Sequence, residues 1–127
     1  MTWPDHSAFL FATLAATAAT RHIVNKAVSE APGPTGMIIT VSHASNIDES
    51  ALLNALESGK LGSAALDLFE GELKLNPRFL KLNNLLLQPH HGSGTFATRK
   101  AMGALMRANL LAHFRGGTLV TPLVCAG

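Results

Sequence analysis

Residues Leu85 to Lys100 read LLLQPHHGSGTFATRK, and the reading of the fold turns on this stretch. An apolar run of strand character enters Gly92-Ser93-Gly94-Thr95-Phe96-Ala97, which fits the G-x-G-x-x-A form of the dinucleotide fingerprint, and a segment of helical character follows. The loop can be a phosphate cradle, a metal site, or the place where a histidine is presented. A cradle of that type needs an acid about 20 residues further on to bind the ribose. No Asp or Glu follows Glu72, so the glycine match is incidental. Zinc at His90-His91 fares little better, because neighbours in an extended segment point to opposite sides and do not easily meet on one ion. That leaves a histidine at a strand's end, with Gly92 and Gly94 allowing a ligand close to the backbone. On the residues alone, a histidine that merely caps the strand end remains the simpler reading.

Size and composition bound what such a site can be. The chain has 127 residues, 47% apolar and 14% charged, enough for one domain with a real core. Its net charge of +2 comes from ten scattered Lys and Arg against eight acids, with no basic stripe and little aromatic interleaving, so nucleic-acid binding has no footprint. Cys125 is the single cysteine and cannot form an internal disulfide, which fits a reducing cytoplasm. Ala8 to Ala19, AFLFATLAATAA, resembles the apolar part of a signal peptide. The residues before it carry Asp5 and no Lys or Arg, so a buried strand is the better reading. No apolar run reaches the roughly 18 residues of a membrane span.

Strand-like and helix-like stretches alternate along the chain. Ala8 to Leu14 reads as a buried strand, and Arg21 to Glu30 as a helix that Thr20 can cap. A turn at Pro32 to Gly36 leads to a second strand, Met37 to Val41. Asn46-x-x-Glu49 has the form of a capping box for a helix reaching Ser58, with Gly59 as its stop. Leu61 to Leu68 and Asn84 to Gln88 are strand-like. Thr95 can cap a last helix to about Arg115, with Met102, Leu105, Met106, Leu110 and Phe114 as its apolar stripe. Strands apolar on both faces and separated by helices predict an α/β fold, a parallel sheet covered on both sides. In such a sheet the loops leaving the C-terminal strand ends build the site. Three carry chemistry: Ser42-His43-Ala44-Ser45, Asp67 to Glu72, and Pro89 to Ser93.

These loops resemble those of the D-isomer-specific 2-hydroxyacid dehydrogenases, which include glyoxylate and hydroxypyruvate reductases. Asp48 to Glu72, DESALLNALESGKLGSAALDLFEGE, is similar to the family's stretch between its catalytic arginine and glutamate. LQPHHGSGT, Leu87 to Thr95, is similar to the segment carrying its catalytic histidine, and Thr20 to Asn25 matches a further family segment. The resemblance covers roughly residues 8 to 122. It implies a partial Rossmann-like, doubly wound parallel sheet with flanking helices and a long C-terminal helix. The 127 residues would form a single unit, half of a cofactor domain, with the segment from about 95 returning toward a substrate domain.

The same resemblance implies the roles. His90 would exchange a proton with the substrate's C2 oxygen while hydride moves to or from the nicotinamide of NAD or NADP, and Glu72 would be its partner. A carboxylate hydrogen-bonded to an imidazole orients the ring and favours its charged form. Asp67 would lie near the nicotinamide, with Ser42, Gly92 and Ser93 close to the cofactor. His22, His113 and Cys125 are left as structural or surface residues. Two departures stand beside the matches. The family's Ala-Arg-Gly-Ser is here Ser42-His43-Ala44-Ser45, so His43 occupies the position of the arginine that clamps the substrate carboxylate. Imidazole lacks the guanidinium's two parallel donors and permanent charge. By the resemblance, too, the chain begins near the middle of the cofactor domain, and neither its glycine-rich loop nor most of the substrate domain is in the sequence. Two readings follow. One is an NAD(P)-dependent oxidoreductase acting on a small 2-oxo or 2-hydroxy acid, inactive as this chain alone. The other is a non-catalytic remnant or interaction module that keeps the half-sheet. An exposed sheet edge predicts self-association, or pairing with an N-terminal half.

Overall fold

A computed structural model of the chain describes residues 8–72 and 74–122. The chain divides into two compact units, Met1–His90 and His91–Gly127. The first unit is built on four strands, β1 (Phe9–Ala12), β2 (Met37–Thr40), β3 (Ser63–Leu66) and β4 (Leu85–Leu87). They lie side by side in sequence order, and every pair is parallel. The register aligns Ala12 with Thr40 and Thr40 with Leu66, so the C-terminal ends of β1 to β3 come out along one line. All three chemistry-bearing loops leave this sheet from those ends or from the end of β4. Parallel strands need crossovers, and α1 (Lys26–Glu30) and α2 (Glu49–Glu57) supply two of them.

The core lies between these helices and one face of the sheet. Val28 of α1 and Leu52, Leu53 and Leu56 of α2 share a buried cluster with Ala12, Ile38, Ala64 and Leu66. The opposite face is also apolar, as the sequence suggests, but it is not covered on both sides: Phe9 is 59% exposed, Phe11 64% and Leu86 57%. Glycine is required where α2 meets β3. Gly59 ends the helix at φ +70°, and a Cβ on Gly62 would stand 2.7 Å from the Pro34 carbonyl oxygen.

Two helix starts differ from the sequence reading. The helix expected over Arg21 to Glu30 is confined to α1, capped by Asn25, whose Oδ1 accepts from Val28 N–H at 3.2 Å. Thr20 instead closes a 3-10 turn, Ala18–Thr20, capped by Thr17, and His22 follows at φ +50°, outside helical space. The cap of α2 is Asp48, not Asn46: Ala51 N–H donates to Asp48 Oδ1 at 3.0 Å. Asn46 lies fully buried in a 3-10 turn, Ala44–Asn46, and donates from Nδ2 to the Leu14 carbonyl at 2.9 Å.

The second unit contains α3 (Phe96–Phe114), 19 residues long. Thr95 caps it as expected, accepting from Thr98 N–H at 3.1 Å. The helix has no buried residue. Among the described residues no helix is long and apolar enough to cross a membrane.

Candidate active site

β2 ends at Thr40 in a hydroxyl pair: Thr40 Oγ1 and Ser42 Oγ stand 2.9 Å apart, and Ser42 N–H donates to Thr40 Oγ1 at 3.2 Å. Both residues are buried, which fixes the turn that presents His43. His43 is exposed and caps the following 3-10 turn, its Nδ1 accepting from Ser45 N–H at 3.2 Å. β3 continues into Asp67, also buried, whose N–H donates to the Thr40 carbonyl at 3.0 Å. The Asp67 carbonyl then accepts from His90 N–H at 3.0 Å, so the turn after β3 sets the position of the turn after β4.

His90 is held at φ +56°, a left-handed conformation that a residue with a Cβ adopts only when its surroundings impose it. Its Nδ1 lies 3.3 Å from each oxygen of the Glu72 carboxylate. Both side chains are partly open to solvent, and the separation is long for a charge-assisted bond. Such pairs tighten when a ligand closes the site. Engagement at Nδ1 leaves Nε2 as the nitrogen for a ligand.

One pocket of about 630 Å³ gathers much of this, with His43, Ser45, Leu68, Phe69, Glu72 and His90 among its lining residues. The sequence-derived residues thus sort into groups. His43, Glu72 and His90 line a common pocket, while Ser42 and Asp67 lie buried at the strand ends that support it. Gly92 and Ser93 belong to the second unit. There Gly94 N–H donates to the His91 carbonyl at 2.8 Å, and the glycines lie between the end of β4 at Leu87 and the start of α3 at Phe96. In a dinucleotide fingerprint the glycines would turn the strand directly into the helix.

Glu49 has a part that its sequence pattern does not suggest. Read as half of a capping box, it instead accepts from Glu70 N–H at 2.9 Å and from Asn76 Nδ2 at 3.2 Å. It thereby ties the first turn of α2 to the loop that carries Glu72. Its sequence signals, half of a capping box and an acid in the first turn of a helix, both point to service of the helix's own N-terminus. His22 is a second such residue. Its Nε2 is 4.0 Å from Glu70 Oε1.

Residues 3–92 match the sequence profile of the D-isomer specific 2-hydroxyacid dehydrogenase NAD-binding domain. The chain is 46% identical over 108 residues to glyoxylate/hydroxypyruvate reductase A of Arabidopsis thaliana, covering 85% of this chain and 34% of that protein. Hydroxyphenylpyruvate reductase of Plectranthus scutellarioides is 45% identical over the same length and coverage. Among solved structures, a 2-hydroxyacid dehydrogenase from Ketogulonicigenium vulgare is 66% identical with a TM-score of 0.83, across 91% of this chain and 36% of that one. An NADPH-dependent glyoxylate/hydroxypyruvate reductase from Sinorhizobium meliloti, in complex with NADP and malonate, is 39% identical with a TM-score of 0.87 at the same coverage. The chain spans about a third of the length of these relatives.

Proposed function

Because the chain belongs to the D-isomer specific 2-hydroxyacid dehydrogenases, matched over their NAD-binding domain, we propose that it serves hydride transfer between NAD or NADP and a small 2-oxo or 2-hydroxy acid. The substrate would be of the glyoxylate or hydroxypyruvate kind that the relatives' names carry. The observation that carries this reading is the His90–Glu72 contact on the pocket wall. Glu72 holds Nδ1, so Nε2 faces the ligand and gives a proton to the carbonyl oxygen in reduction, or takes it from the hydroxyl in oxidation. The nicotinamide, when bound, supplies or accepts the hydride.

The strand ends fit the nicotinamide end of that cofactor. Asp67 offers a buried carboxylate and Ser42 a buried hydroxyl, groups suited to a carboxamide. Gly92 and Ser93 are assigned to the cofactor by the resemblance alone. We place the protein in the cytoplasm on its single cysteine, and we propose that it self-associates through the apolar sheet face. One observation favours the second reading, a non-catalytic module: His43, with no guanidinium, occupies the wall where a carboxylate would be clamped.

The test is a fusion of the preceding part of the Arabidopsis thaliana relative to this chain carrying His43→Arg. NADPH oxidation dependent on glyoxylate or hydroxypyruvate is expected. Glu72→Gln should then lower kcat by about tenfold or more with a smaller change in KM, because the partner orients the acid without touching the substrate. A fusion that binds NADPH yet turns over neither substrate would leave the non-catalytic reading.

A further inference from the structure

Among the described residues only two other than glycine have positive φ, and both are histidines: His22 at +50° and His90 at +56°. Each is paired with an acid of the same short loop. His90 Nδ1 lies 3.3 Å from the Glu72 carboxylate, and His22 Nε2 lies 4.0 Å from Glu70 Oε1. Gly71, at φ +66°, turns the chain between the two acids. The backbone of His22 is itself tied, its N–H donating to the Ser45 carbonyl at 2.9 Å. Ser45 and Glu70 both line the pocket that His90 lines, so His22 joins two segments of that lining.

A left-handed backbone alone does not call for histidine, because glycine or asparagine takes it at lower cost. What the ring adds is Nε2. The side chain is 39% exposed, yet this nitrogen is buried without a hydrogen-bond partner among the described residues. An unpaired buried nitrogen is unfavourable, and a carboxylate just beyond hydrogen-bond reach is a group that can satisfy it. Moving Glu70 by about 1 Å would close the gap to a charge-assisted bond. The other charged or titratable groups on the segments that meet His22 are Arg21, His43, Asp48, Glu49, Asp67 and Glu72. Of the glutamates, Glu49 is bonded to Glu70 N–H and Asn76, and Glu72 is engaged by His90. Glu70 is the acid placed for His22 to draw in.

We infer that His22 is a positioning residue: by holding Glu70, its protonated ring sets the loop that brings Glu72 to His90. It touches neither substrate nor reacting atoms. The hold is strongest when the ring is an imidazolium, a charge that imidazole gains between about pH 8 and pH 5. The inference rests on the reading of His90 as the acid oriented by Glu72.

The test follows amide exchange and backbone order parameters of the 127-residue chain by NMR between about pH 8 and about pH 5.5. Protection of Glu70 N–H, corrected for the intrinsic rate, should rise about two- to fivefold as pH falls, the scale of a half-exposed ion pair. His22→Asn keeps the left-handed backbone but lacks the reach, so protection should stay low and flat. His22→Gln carries a neutral donor on a longer side chain, so protection should be high and flat. Glu70→Gln leaves the strained residue untouched and should also abolish the pH dependence. His90 gains charge over the same range and grips Glu72 directly, so Glu72 is compared in a His90→Asn background. There the Glu72 amide should become more ordered as pH falls with His22 present, and should not with His22→Asn. A parent profile independent of pH, a His22→Asn or Glu70→Gln profile like the parent's, no gain from His22→Gln, or order at Glu72 that ignores His22 would each overturn the proposal. Neither cofactor, substrate nor turnover enters these measurements, so they and the turnover of the fusion can fail separately.

Discussion

Asn46 shows why some residues cannot be read locally. Its sequence spacing to Glu49 has the form of a capping box, yet its side chain reaches the Leu14 carbonyl, 32 positions away, and the cap falls to Asp48 two residues later. Both residues are good caps, and only the packing of β1 against the turn after β2 decides between them. Glu49, released from the box, reaches the loop of Glu70. Replacing Asn46 with Ala leaves the Leu14 carbonyl without this donor, and a loss of about 1–3 kcal/mol in urea unfolding is expected. An unchanged midpoint would show that the bond contributes nothing. His90, by contrast, was legible as a strand-end histidine from Leu85-Leu-Leu followed by Pro89, but its left-handed φ was not. That conformation depends on the Asp67 carbonyl, a partner contributed by another loop.

At the scale of elements, the strands were readable because they are short apolar runs bounded by turn residues, and α3 because Thr95 caps a long periodic segment. The helix after β1 is shorter than its sequence suggests. Arg21 to Asn25 carry no strong breaker, and His22 at φ +50° is imposed by Ser45, whose carbonyl accepts His22 N–H at 2.9 Å. Between elements, Arg78 joins the loop before β4 to α2. It donates to both oxygens of Glu57 at 2.9 and 2.7 Å and to Asn54 Oδ1 at 2.6 Å. The hydrogen bonds from Arg78 hold the Glu57 carboxyl below its ordinary range. A carboxyl depressed in the folded chain adds stability above its unfolded pKa and loses it as pH falls through the folded value. Arg78→Ala should therefore destabilise the chain at neutral pH, and the deficit should shrink in acid to what the Asn54 bond contributes. Urea melts of parent and variant across the carboxylate range check this, and a deficit that does not change with pH would refute it. The uncovered sheet face makes a different prediction. Phe11, 64% exposed, stands beside Ile39 in the register, so Phe11→Ser should reduce self-association in sedimentation while leaving the fold intact. A parent chain that stays monomeric at high concentration would count against that.

At the scale of the whole chain, the family relationship was legible in the spaced loops, whereas the division at His90 and His91 was not. Apolar patterning marks elements but not the density of contacts between them. Of the described residues, none turns a strand directly into a helix through glycines, and the N–H groups of Gly94 and Thr98 at the start of α3 already have acceptors. Binding of NADH to the 127-residue chain is expected to be millimolar or weaker by calorimetry, and micromolar affinity would demand a phosphate cradle elsewhere. The central claim remains that His90, oriented by Glu72, is the proton-transferring residue. The most direct measurement compares His90→Ala with His91→Ala in the fused, His43→Arg protein, by steady-state reduction of hydroxypyruvate. His90→Ala should lower kcat by about a hundredfold or more, while His91→Ala should change it by less than about tenfold. Equal losses from the two substitutions, or a larger loss from His91→Ala, would contradict the account.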